Sequence, residues 1–141
     1  LRKSIQRGAR GGIFLIILDT DVLIEIFDKS SAKGERVLEE LEGYDVATTS
    51  INLHEIAYGF SRISKSLPDE IRFLKTFGFT SEDALPSAKL ENHLERMGNP
   101  VGRFDAMIAA ICINRNAAIA TFNKKHFERF VEFGLKLFDV G

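Results

Sequence analysis

The chain has 141 residues, 45% hydrophobic and 28% charged, enough to bury a sizeable core within one domain. A formal net charge of −1 excludes a global field that draws in nucleic acid, so any such contact must come from a local basic patch. The single cysteine excludes an internal disulfide and a cysteine-built zinc site, and it suits a reducing cytoplasm.

Arg2, Lys3, Arg7 and Arg10 make residues 1–12 a basic segment, expected to be a disordered tail ahead of one domain over 13–141. The apolar run Ile13 to Leu18 is too short to span a membrane. It ends in Asp19-Thr20-Asp21 rather than in a small-residue cleavage site, so it does not read as a secretory leader. Lacking alternation, it predicts a strand buried on both faces, the signature of a parallel sheet covered by helices. A short helix over 22–27 is expected next, with Asp21 as its N-cap.

Ala32 to Leu41 predict a charged helix with Val37, Leu38 and Leu41 inward, closed by Gly43. Asp45 to Thr49 read as a second strand, and Ser50 as the cap of the helix that follows. That helix has the clearest period in the chain, with Leu53, Ile56, Ala57, Phe60 and Ile63 on one stripe. Pro68 fits the first position of another short helix, with Ile71, Leu74 and Phe77 inward. A further helix starts near Ser81 or Ser87 and runs to Gly98, with Leu90, Leu94 and Met97 as its stripe. After the Gly98-Asn99-Pro100 break the helical pattern resumes at Phe104, with Ile108, Ile111 and Cys112 together. Ala117 to Thr121 read as a buried strand, Asn123 to Phe130 as a small helix, and Leu135 to Phe138 as an edge strand. Strands and helices alternate throughout, which predicts an α/β layer fold, a mostly parallel sheet flanked by helices.

Three acids stand out by position. Asp19 follows the first strand, Glu55 lies near the start of the helix after the second, and Asp105 opens a later helix. In a parallel sheet, strand ends and the helix starts that follow them share one edge, where open α/β sheets bind ligands. Carboxylates crowded there repel unless a cation sits between them, and oxygen-only ligation suits a hard ion such as Mg²⁺ or Mn²⁺. Such an ion suits phosphodiester hydrolysis. Asn123, two residues after Thr121, belongs to the same edge.

Four blocks carry a resemblance: residues 17–24 (ILDTDVLI), 49–59 (TSINLHEIAYG), 105–110 (DAMIAA) and 121–127 (TFNKKHF). In this order they resemble the motif blocks of PIN-domain nucleases, and within that superfamily the VapC toxins of toxin–antitoxin pairs. The resemblance spans about residues 14 to 139 and implies a three-layer PIN-like fold. It also implies a metal-dependent endoribonuclease, held inactive by a VapB-type antitoxin and usually homodimeric. Carried over, the metal ligands fall on Asp19, Glu55 and Asp105. The implied reaction is attack by a metal-activated water, leaving a 3′-hydroxyl and a 5′-phosphate. Many relatives have an acid where this chain has Asn123, which brings no charge, so one tightly held ion is expected. Thr20 and Thr121 are expected to position waters or substrate oxygens.

Arg103, Lys124 and Lys125 are the expected phosphate contacts. His54, His93 and His126 share no metal-ligand spacing, so no general-base histidine is expected. Two rivals stay open: a PIN-like module that binds RNA or protein without cutting, kept alive by Asn123 and the lack of a basic global charge, and a Mg²⁺-dependent phosphohydrolase of another α/β fold.

Overall fold

The computed structural model describes residues 14–141; the basic segment 1–12 and Ile13 lie outside the described residues. The apolar run forms strand β1 (Leu15–Leu18) in the middle of a five-stranded sheet of order β3-β2-β1-β4-β5, in which every pairing is parallel. Its neighbours are β2 (Asp45–Thr49), with Ile17 beside Ala47, and β4 (Ala118–Ala120), with Leu18 beside Ala120. Strands β3 (Thr76–Phe77) and β5 (Lys136–Phe138) form the edges. Ile16, Ile17 and Leu18 are buried, but in different layers. Ile16 and Leu18 join Val22, Val37, Leu41, Ile56 and Phe60 on one face of the sheet; Ile17 joins Leu90, Leu94, Ile108, Cys112 and Phe127 on the other. Each such aliphatic contributes about 1.5–3 kcal/mol by leaving water. That double burial is why this strand shows no alternation.

On the first face lie α1 (Thr20–Leu23), which continues as a π-helical segment (Ile24–Lys29), α2 (Ala32–Leu41), α3 (Ser50–Arg62) and α4 (Asp69–Arg72). On the second lie α5 (Ser81–Arg96), α6 (Arg103–Asn114) and α7 (Lys124–Glu128), followed by a 3₁₀ turn (Val131–Phe133). Helix α2 crosses the π-helical segment so closely that a Cβ on Gly34 would stand 2.4 Å from the Glu25 carbonyl oxygen. No helix among the described residues is long and apolar enough to cross a membrane.

Several boundaries differ from expectation. Helix α1 starts at Thr20, so Asp19 rather than Asp21 holds the N-cap position, and Asp21 lies in the first turn. Thr49, not Ser50, caps α3, its hydroxyl accepting the Asn52 N–H at 3.1 Å. The helix over Pro68 is a single turn with Pro68 as N-cap, and Phe77 leaves it for edge strand β3. Leu38, Ile63 and Met97, placed on inner stripes by periodicity, are exposed: Ile63 and Met97 are C-cap residues past the last turns of α3 and α5, and Leu38 lies off the face of α2 that Val37 and Leu41 bury.

The order of the strands decides where a ligand can sit. From β1 the chain moves outward through β2 to β3, then returns across β1 to β4 and β5 on the opposite side. The connections leaving β1 and β4 therefore diverge, opening a crevice at their carboxyl ends.

Candidate active site

A cleft of about 390 Å³ opens at that switch point, lined by Asp19, Thr20, Asp21, Ile24, Glu55, Asp105, Asn123, His126 and Phe127. Asp19 reaches it directly from β1, held by a backbone bond from its own N–H to the Ala120 carbonyl (3.0 Å). Glu55 comes from the second turn of α3, Asp105 from the first turn of α6, and Asn123 from the N-cap position of α7. The structure thus brings together the three acids expected as ligands, with Thr20 and Asn123.

Asp19 is 8% exposed, and both its oxygens are held. Asn52 Nδ2 donates to Oδ1 at 2.8 Å, and Thr121 Oγ1 donates to Oδ2 at 2.7 Å. Burial raises its pKa, and the donors from Thr121, the Thr20 backbone and Asn52 oppose that rise. Glu55 and Asp105 are also raised, first by burial and then by the charge of Asp19; Asp105 adds a further upward push on Glu55. Asp21 rises to about 6 through burial and the Asp19 charge. Its Oδ2 accepts the Phe122 N–H at 3.2 Å, while its Oδ1 is buried without a hydrogen-bond partner.

Four carboxylates in one cleft, with the Asp19 charge raising the other three, oxygen donors throughout, and a buried acceptor without a donor together fit a hard divalent cation. Among the described residues, no three His, Cys, Asp or Glu side chains already form a group set as metal ligands. The fit therefore rests on donor chemistry and charge.

Other expected residues stand differently. Thr121 is 1% exposed, with its hydroxyl spent on Asp19 and on the Asn123 N–H at 3.0 Å. It holds an acid in place rather than a water or a substrate oxygen. Arg103 lies outside the cleft lining and grips Glu91 through Nε at 3.1 Å and Nη2 at 3.1 Å. Lys124 is also outside it, bound to Asp139 at 2.6 Å. Asn123 makes no side-chain capping bond despite its N-cap position.

Three groups of the site are not legible in this role from the sequence, two lining the cleft and one buried behind it. Asp21 reads as a cap. His126 has no metal-ligand spacing, yet it lies one turn after Asn123 and its Nδ1 stands 3.5 Å from Asp105 Oδ2. Asn52 is fully buried on the same helical face as Ile56 and Phe60. A polar residue on an apolar stripe must find partners, and that signal was available.

Comparison with known proteins agrees with the fold. The PIN domain family matches residues 16–132. Ribonuclease VapC1 of Methanocaldococcus jannaschii is 36% identical over 127 residues, covering 88% of this chain and 87% of that protein. The tRNA(fMet)-specific endonuclease VapC of Salmonella typhimurium is 30% identical over 122 residues, covering 80% and 89%. Among solved structures, VapBC2 from Rickettsia felis bound to a DNA fragment from its promoter superposes with a TM-score of 0.71 at 25% identity, covering 89% of this chain and 100% of the other.

Proposed function

Because the chain belongs to the PIN domain family, we propose that it is a VapC-type endoribonuclease that hydrolyses RNA phosphodiesters with Mg²⁺ or Mn²⁺ in this acidic cleft. The observation that carries this reading is the convergence of Asp19, Glu55 and Asp105, with Asp21, from three separate segments onto one crevice at the topological switch point.

Asp19, Glu55 and Asp105 are the residues that would hold the ion. When bound, it supplies positive charge against the phosphate and lowers the pKa of water, giving a nucleophile at neutral pH. The chain's own residues do the rest. Asn52 and Thr121 keep the Asp19 carboxylate in one orientation. The Asn123 amide, free of capping duty, offers a neutral donor to a phosphate oxygen where another carboxylate would repel it. Thr20 Oγ1 orients Glu55 from 3.4 Å. Attack of water on phosphorus breaks the bond to the 3′-oxygen, leaving a 3′-hydroxyl and a 5′-phosphate.

Arg103 and Lys124 adjoin cleft residues in sequence, and an RNA phosphate would compete with Glu91 and Asp139 for them. A VapB-type antitoxin and a second copy of the chain complete the reading, with Phe73, 79% exposed, available to an interface. A cytoplasmic site of action belongs to the same proposal, supported by Cys112 as a free, buried thiol.

The test is cleavage of RNA by chelator-stripped protein resupplied with Mg²⁺ or Mn²⁺, against Asp19→Asn and Asp105→Asn. Wild type should cut and both variants should not. Wild type inert with either ion, or variants as active as wild type, refutes the reading.

A further inference from the structure

We propose that Asn52 is the positioning residue of this cleft, a buried amide that aligns two of its acids at once and whose own orientation is set by Thr49. The inference rests on the nuclease reading above and names a residue outside the three acids.

Asn52 is 0% exposed and stands one helical turn before Glu55 on α3. Each of its amide atoms is committed. Thr49 Oγ1 donates to Asn52 Oδ1 at 2.7 Å, which leaves the NH₂ group to point the other way. The two amide protons then go to Asp19 Oδ1 at 2.8 Å and to Thr20 Oγ1 at 3.1 Å. A hydroxyl that accepts from an amide keeps its own proton to give, and Thr20 gives it to Glu55 Oε1 at 3.4 Å. Every bond in the series Thr49, Asn52, Thr20, Glu55 therefore has one sense, and Asp19 is held as a branch from its middle. Reversing the Asn52 amide would set Oδ1 against the Asp19 carboxylate and leave the Thr49 hydroxyl without an acceptor. The alignment is intrinsic to the fold, because Thr49 is both the last residue of β2 and the cap of the helix that carries Asn52 and Glu55.

Neutral donors hold the acids where positive ones would cancel the charge an ion needs. Groups that orient ligands from behind typically change ion affinity by about 10–100-fold when removed.

The experiment measures Mn²⁺ affinity of the chelator-stripped full chain by electron paramagnetic resonance, with folding checked by circular dichroism. Asn52→Leu, with the same number and branching of side-chain heavy atoms but without donors, should bind Mn²⁺ about 10–100-fold more weakly while the protein stays folded. Thr49→Val and Thr49→Ser give a second comparison that touches neither acid. The serine variant keeps the hydroxyl and should retain wild-type affinity, whereas the valine variant should lose affinity in the same direction as Asn52→Leu. A merely structural Asn52 lowers the unfolding midpoint and leaves affinity of the folded protein unchanged. That result, or serine and valine variants that bind alike, overturns the inference while wild type still binds Mn²⁺ and cuts RNA. Wild type that binds no Mn²⁺ overturns the nuclease reading and this inference with it.

Discussion

Asp21→Asn in the ion-free protein isolates the electrostatic strain of the cleft. In the folded chain Asp21 rises from an ordinary value of 3.8 to about 6, through burial first and the Asp19 charge second. Between those two values the native state binds the proton more tightly than the unfolded chain. Stability is therefore greatest below pH 3.8 and declines as pH rises through about 6. The rise from 3.8 to about 6 corresponds to about 3 kcal/mol. Asp21 is only half-buried, and screening by water reduces that to about 1.5 kcal/mol. Asparagine keeps an acceptor for the Phe122 N–H and removes the charge. The stability of Asp21→Asn relative to wild type should improve by about 1.5 kcal/mol between pH 4 and pH 8. Urea unfolding in the presence of a chelator at the two pH values measures it. Comparing the pH dependence, rather than either stability, cancels the constant cost of burying the new NH₂ group. A difference between variant and wild type that does not change with pH would show that the Asp21 carboxylate is not strained.

Two other outcomes follow from the remaining charges. Asp83 is fully buried and opposes the upward push of burial with bonds from Arg115, Thr80 and Asn114, holding its pKa at about 2. That stabilisation is present above 3.8 and lost as pH falls through about 2, so Asp83→Asn should cost about 2–3 kcal/mol at pH 7 and about half of that near pH 3, read by urea denaturation. If Arg103 and Lys124 contact RNA phosphates, replacing both with Ala should flatten the log–log salt dependence of single-stranded RNA binding by about 1.4; an unchanged slope removes them from the interface.

Much of the fold was legible because its driving forces are local or periodic. The unalternating run before Asp19 predicted a doubly buried central strand, and Ile16 and Ile17 do face opposite layers. The stripe of Ile56 and Phe60 predicted α3. The short pieces failed for the opposite reason. Strand β3 has two residues, too few for any period to register, and it exists because Thr48 and Thr49 pair with it. The helix cap at Asp19 was misplaced by two residues because either aspartate can cap; tertiary bonds from Asn52 and Thr121 hold Asp19 in place, and Asp21 enters the same cleft from the first helical turn.

By itself, the sequence determined which chemistry is available: acids at strand ends, an asparagine in the fourth block, and no cysteine or histidine set to replace them. Those are properties of residue type and order. Tertiary structure decided which groups meet. It placed Asp21 and His126 in the cleft, turned Thr121 toward Asp19, and tied Arg103 to Glu91 away from the lining. It also joined Asn52 to two acids through bonds whose direction no linear spacing encodes. The physical reason is that convergence at the β1–β4 crevice depends on strand order, and strand order is a property of the assembled sheet.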